Sequence, residues 1–153
     1  MILGADLSYT RTGLVWLDDK CRVFHHATIS VPTGPRRMLR AMRAVYSILN
    51  KDVHYVPDLC IIEDAAYASP SRTTVAKLKE LAGVFKFVLE AHDVDWLEVS
   101  PTLIKKWVTG KGTAEKHVVA RELKRRFGIA FKDDPGHDLS DAAALAAWGL
   151  KRG

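Results

Sequence analysis

Apolar residues recur along this chain with two periods, and the changes of period divide it into elements. Ile2 to Ser8, Gly13 to Leu17 and Arg22 to Val31 are short runs rich in Ile, Leu, Val and Trp, and they read as three strands. The turns between them hold Thr10-Arg11 and Asp18-Asp19-Lys20, short enough for antiparallel hairpins. Pro32-Thr33-Gly34-Pro35 ends the alternation. Met38, Met42, Val45 and Leu49 then share one face of a helix reaching about Asn50. Pro57 to Glu63 is a continuous apolar run, expected of a buried parallel strand. Ala65 to Arg72, with Tyr67, Ser69 and Pro70, reads as a loop.

The second half of the chain is mostly helical. Thr73 to Ala91 forms the longest periodic stretch, and Asp95 to Val99 a last strand. Ser100-Pro101 then opens a helix as N-cap and first helical residue. Thr109-Gly110-Lys111-Gly112 reads as a flexible loop, and Thr113 as the cap of a helix running to Phe127. Phe131 to His137 is a polar loop, and a final helix covers Leu139 to Leu150. This order predicts an α/β fold: a mixed sheet of five strands, a three-strand antiparallel meander plus two parallel strands, with helices on both faces. No repeat, low-complexity tract or linker interrupts it, so residues 1–153 are expected to form one domain.

The helix from Thr73 to Ala91 carries a second message. Val75, Leu78, Ala82, Phe85 and Leu89 form one stripe, and Leu81, Val84 and Val88 another beside it, widened by Phe87. An apolar arc of more than half the circumference exceeds the stripe of roughly 100° that one packing face needs. The surplus is expected to meet another helix of the chain or a second subunit.

Composition narrows the partners. With 23 Lys and Arg against 18 Asp and Glu the net charge is +5, and the pI is near 9.3. Such a balance favours acidic partners, nucleic acid first among them. No run of about 18 apolar residues exists, so no membrane partner is expected. The N-terminus lacks a basic segment followed by an apolar one, the mark of a secretion signal. Cys21 and Cys60 lie in apolar, strand-like surroundings and read as reduced core residues of a cytoplasmic protein.

Within this basic chain, four acids stand at the ends of buried elements. Asp6 ends Ile2-Leu3-Gly4-Ala5, and Glu63 ends Leu59-Cys60-Ile61-Ile62. If those strands are adjacent and parallel, both carboxylates emerge at one end of the sheet. Asp138 and Asp141 share a helix face by their spacing, and five alanines from Ala142 to Ala147 let that helix lie close to the sheet. Converging carboxylates repel and stay ionised only beside a cation. Hard divalent ions with oxygen ligands meet that need, and two of them about 4 Å apart can cut a phosphodiester. Each acid taken singly has an ordinary explanation: Asp138 as a helix cap, Asp141 favoured by the helix dipole, Asp6 and Glu63 as loop-edge acids. Only the joint arrangement points to chemistry.

The same residues resemble the RuvC-type Holliday-junction resolvases of the RNase H-like superfamily. The resemblance rests on Ile2 to Asp6 with Arg11-Thr12-Gly13, Ile61-Ile62-Glu63, Ser100-Pro101 through Ile104-Lys105, Val108-Thr109-Gly110, Ala114-Glu115-Lys116, and Asp138 through Leu145. These stretches follow the family order and span nearly the whole chain. The resemblance implies an RNase H-like fold and a homodimeric endonuclease that cuts four-way DNA junctions with Mg²⁺ or Mn²⁺, two ions per site. It makes Asp6, Glu63, Asp138 and Asp141 the metal-binding catalytic acids, and Lys105 and Lys116 basic residues near the DNA. Tyr67 and Lys111 are further candidates for DNA contact. Three departures stand out. Leu7-Ser8 replaces the family's Pro-Gly. Ala66 occupies the position of its junction-wedging aromatic, with Tyr67 next. His137 precedes Asp138 where some members use His, so either faces the metal. Rivals are a broader branched-DNA or flap nuclease of the same fold, a non-cleaving junction-binding protein, and a relative acting on ribosomal RNA. The intact acids and the two lysine segments oppose the last two.

Other features carry less. Thr109 to Gly112 lacks the glycine spacing of a P-loop. His25-His26 alternate onto opposite strand faces rather than forming a metal pair. Arg36, Arg37, Arg40 and Arg43 suit a phosphate-facing ridge or a solvated helix face, and Lys124-Arg125-Arg126 likewise.

Overall fold

A computed structural model describes residues 1–51, 55–67 and 71–152. Its strands are β1 (Ile2–Asp6), β2 (Thr12–Leu17), β3 (Val23–Ile29), β4 (Leu59–Glu63) and β5 (Asp95–Val99); its helices are α1 (Arg37–Leu49), α2 (Arg72–Glu90), α3 (Pro101–Thr109), α4 (Lys116–Phe127) and α5 (Asp138–Lys151). The sheet order is β3-β2-β1-β4-β5. β1, β2 and β3 pair antiparallel, while β4 and β5 join β1 in parallel. The expected mixed sheet is therefore present.

Two cores flank it, and strand alternation assigns each side chain. Leu3 and Ala5 of β1, Leu14 and Trp16 of β2, and Cys60 and Ile62 of β4 pack against α1 and α2. Val15 and Leu17 of β2 and Ile61 of β4 face the other way, into the layer of α3, α4 and α5. Period-two alternation then sends Asp6 and Glu63 to that second face as well.

α5 is the central helix of the second layer. Leu139 and the residues from Ala142 to Ala147 are all buried. Its approach to the sheet is closer than side chains on the strand would allow. A Cβ on Gly4 would stand 1.9 Å from the Ala142 carbonyl oxygen, and one on Gly13 would stand 2.3 Å from that of Asp138. The small residues of strand and helix thus set the spacing between α5 and the end of β1.

Several boundaries differ from expectation. β1 stops at Asp6 because Ser8, Thr10 and Thr12 form a side-chain-bonded turn: the Thr12 hydroxyl donates to the Ser8 carbonyl at 2.7 Å, and the Ser8 N–H donates back to it at 3.0 Å. This is how Leu7-Ser8 turns the chain without Pro-Gly. α2 begins one residue earlier than expected, with Ser71 accepting the Thr74 N–H. Thr113 does not cap α4. A turn from Lys111 to Ala114 displaces the start, and Glu115 takes the cap position without a side-chain bond. Ala65–Tyr67 is a 3-10 turn rather than open loop, while Ser69 and Pro70 lie outside the described residues.

Two arginines of α1, Arg37 and Arg40, serve the fold. Arg40 donates to the Pro32, Thr33 and Pro35 carbonyls, and Arg37 donates to Val31 and stacks over Tyr9 at 4.0 Å. They tie the 32–35 turn to the helix, while Arg36 and Arg43 are exposed. His25 and His26 divide as alternation requires, His25 against Trp16 and Tyr55, His26 against Phe131. Cys21 and Cys60 are free and buried. Among the described residues, no helix is long and apolar enough to cross a membrane.

Candidate active site

The parallel pairing of β1 and β4 builds the site. Ala5 stands opposite Ile62, so the next residues in register, Asp6 and Glu63, close two adjacent strands at the same end. Neighbouring strands lie about 4.8 Å apart. β2 enters the sheet beside them, with Gly13 opposite Asp6. Because Gly13 lacks a side chain, the first turn of α5 seats there and brings Asp138 and Asp141 over the strand ends.

A cation already stands among these acids. The Lys116 ammonium, at the first position of α4, lies 2.7 Å from Asp141 Oδ2, 3.8 Å from Asp6 Oδ2 and 4.0 Å from Asp138 Oδ1. Burial, then the charges of Glu63 and Asp141, hold the Asp6 carboxyl well above the ordinary range. Burial and Asp141 raise Glu63, and Lys116 and Lys105 oppose that rise. Asp141 is raised by burial, against the hydrogen bond and charge of Lys116. For Lys116, burial is the largest influence and disfavours its charge, yet Asp141, Asp6 and Asp138 together outweigh it and leave the ammonium harder to deprotonate than usual. The arrangement is a knot of desolvated negative charge that a positive charge stabilises.

Asp138 sits at the edge of the knot. Its Oδ2 is 3.2 Å from Arg11 Nε, and Arg11 also donates to the Asp133 carbonyl at 3.2 Å. His137 adopts a left-handed backbone (φ 59°) before α5 and lines the cleft shared with Arg11 and Asp134. Asp138 Oδ1 shares Lys116 with Asp6 and Asp141, and its charge adds to the rise of Asp6.

Asp134 orders this turn, and sequence reasoning missed it. Its carboxylate accepts from the N–H groups of Leu139 at 3.0 Å and Ser140 at 2.9 Å, and from the Ser140 hydroxyl at 2.7 Å. It does the work of an N-cap from four residues before the helix. The sequence pattern expects Asp138 as the cap; the helix instead begins at Asp138, and His137 holds the cap position with no side-chain bond.

The remaining candidates divide. Lys105 of α3 is close enough for its charge to lower both Glu63 and Asp141. Lys111 lies in the loop after α3, bonded through its backbone to the Thr109 hydroxyl, and is not drawn into the acid knot. Ala66 is exposed within the turn that follows Glu63, and Tyr67 closes that turn; the Tyr67 side chain lies outside what is described.

As they stand, and among the described residues, no three His, Cys, Asp or Glu side chains form a ready metal cage. The donor set is nevertheless all carboxylate oxygen, the chemistry that hard divalent ions take, and Lys116 occupies the place of a stand-in cation. The site fits a metal on both counts.

Known proteins share this sequence pattern and this fold. The profile of the family described as "Crossover junction endodeoxyribonuclease RuvC" matches residues 2–148. A curated relative of that name from Petrotoga mobilis is 30% identical over 152 residues, covering 95% of this chain and 90% of its own. The solved structure of RuvC from Thermus thermophilus superposes with a TM-score of 0.74 at 22% identity, over 99% of this chain and 94% of that one. A second structure, T. thermophilus RuvC in complex with Holliday junction substrate, gives a TM-score of 0.75 at 23% identity, over 95% and 89%. With the RNase H-like fold, the ordered acids and a match along almost its whole length, this chain belongs to the RuvC family of crossover junction endodeoxyribonucleases.

Proposed function

We propose that Asp6, Glu63, Asp138 and Asp141 are the cutting centre of this Holliday-junction endonuclease, that they hold Mg²⁺ or Mn²⁺, two ions per site, and that the chain works as a homodimer of single-domain subunits on four-way DNA. The observation carrying this is the gathering of three raised carboxyls, Asp6, Glu63 and Asp141, in the reach of Lys116 at one end of the sheet. Such ions, when bound, activate a water and stabilise the leaving oxygen of a phosphodiester.

The residues divide the remaining work. The acids orient the reacting phosphate's surroundings from rigid elements, two strand ends and one helix turn. Lys116, released from Asp141, has a flexible stem and a free ammonium for a phosphate oxygen; Lys105 stands on the same side. Arg11 holds Asp138 at the edge of the centre. Tyr67 and Lys111 extend the DNA contacts beyond it, and His137 lines the approach. Free buried Cys21 and Cys60 suit a reducing cytoplasm. The second subunit docks through α2 and supplies the second centre that paired nicking needs.

The test is substitution with isosteric amides. Asp6→Asn, Glu63→Gln and Asp141→Asn are each expected to lower junction cleavage by at least roughly 100-fold, since each removes a ligand of the ions that would stabilise the transition state's charge. Junction binding, carried by lysines and arginines, is expected to survive. Wild-type turnover by any one of the three removes that residue from the centre.

A further inference from the structure

A cleft of about 730 Å³ opens beside the acid centre, between α4 and the segment 129–137. Four cations line it, Arg11, Arg121, Lys124 and Lys132, against the acids Asp133 and Asp134. Asp134 already spends both oxygens on the start of α5. Arg11 forms the inner wall, where its guanidinium reaches Asp138, so the cleft begins at a catalytic acid. At the outer end Lys124 and Lys132 are exposed and, among the described residues, make no ion pair.

α4 runs along this path. Lys116, Ala120 and Lys124 share one helix face at steps of four. Lys116 ends among the acids, while Ala120 and Lys124 line the cleft. From Lys116 to Lys124 the helix rises about 12 Å. One strand of duplex DNA places a phosphate every ~3.4 Å of its axis, so a phosphate held at Lys124 lies within about four nucleotides of one held at Lys116. The small Ala120 side chain leaves the floor open between them. A backbone with regularly spaced negative charge matches this row; a compact anion would use one end of it.

We propose that this cleft seats the phosphodiester backbone of the DNA strand continuing from the scissile position, with Lys124, Lys132 and Arg121 as its phosphate contacts. The assignment rests on the acids being the cutting centre.

The experiment measures binding to an immobile four-way junction across a salt series, in a protein carrying Asp141→Asn to prevent cutting, with wild-type cleavage of the same junction assayed in parallel. Adding Lys124→Ala and Lys132→Ala together is expected to make the salt slope shallower by nearly two, at roughly 0.9 per phosphate contact. Ethylation interference at phosphates within about four nucleotides of the cut is expected to disappear with them. Lys20→Ala serves as the charge control, because the β2–β3 turn lies at the sheet end opposite Asp6; its slope should not move. An unchanged slope in the double variant, or an equal change in Lys20→Ala, overturns the cleft while wild-type cutting leaves the centre standing. A wild type that fails to cut junctions overturns the centre and the cleft with it.

Discussion

At the scale of single residues, the most informative contact is the 2.7 Å pair between Lys116 and Asp141. A lysine and a divalent ion cannot both occupy the middle of these carboxylates. Lys116 supplies the positive charge that lets Asp6, Glu63 and Asp141 remain close; on the proposed reading, metal loading would free it for phosphate. Lys116→Met keeps the length of the side chain and removes that charge. The sign of the pH effect follows from the raised carboxyls. A carboxyl whose folded pKa lies above its unfolded value contributes stability at low pH and loses it as pH rises through the folded value. Metal-free Lys116→Met is therefore expected to lose stability against urea more steeply than wild type as pH climbs from the ordinary carboxylate range upward. Added Mn²⁺ is expected to restore it, and calorimetry should show several-fold tighter Mn²⁺ binding to the DNA-free variant. Equal pH profiles and equal Mn²⁺ affinity would reduce the lysine to a bystander in the metal-free state. The same variant is expected to bind junction DNA with a slope shallower by roughly one phosphate contact.

At the scale of elements, the site depends on how closely α5 lies on β1. Gly4→Ala tests that spacing, because the added carbon would meet the Ala142 carbonyl oxygen and, at 2.7 Å, the Ala146 backbone nitrogen. Neither is a flexible side chain, so the helix must shift. The expected cost is about 1–3 kcal/mol in unfolding free energy, typical of overpacking. Turnover at saturating DNA should fall by roughly 100-fold, since a displacement of an ångström at catalytic groups costs that much. Wild-type values of both would show that α5 has slack. Sequence patterns make this layer largely legible. The strand ends at Asp6 and Glu63, the alanine-rich helix and the Ser100-Pro101 start are local signals, each written within a few residues of its effect. What is not legible acts across space or out of standard spacing. Asp134 reaches past the left-handed His137 to cap a helix four residues on, and Lys116 turns from the start of α4 into the acids of two other elements, β1 and α5. Thr113 shows the converse: a good capping residue in sequence is pre-empted by a turn whose hydrogen bonds are its neighbours'.

At the scale of the whole molecule, the two layers of helices have different business. The layer of α3, α4 and α5 carries the acids and the lysines. The layer of α1 and α2 carries Met38, Tyr46 and Phe87 of the exposed large apolar side chains, against Leu103 in the layer of α3, α4 and α5 and Val23 and Phe24 on β3. On α2, Leu81, Ala82, Phe85, Val88 and Leu89 are consumed by the core, yet Phe87 remains 64% exposed. The wide apolar arc read from the sequence is thus only partly used within one chain. A two-fold axis near α2 would bury the remainder and set two acid centres on one assembly, which is what cutting two strands of a four-way junction at matched positions requires. Phe87→Glu would place a charge in that contact and leave the chain's own core untouched. It is expected to shift the sedimentation coefficient from dimer to monomer at micromolar concentration. On a cruciform plasmid it is expected to yield nicked circles, because a lone subunit cuts one strand and leaves, whereas the wild type yields linear product from paired cuts. A wild type that sediments as a monomer and still gives linear product at that concentration would remove α2 as the dimer contact.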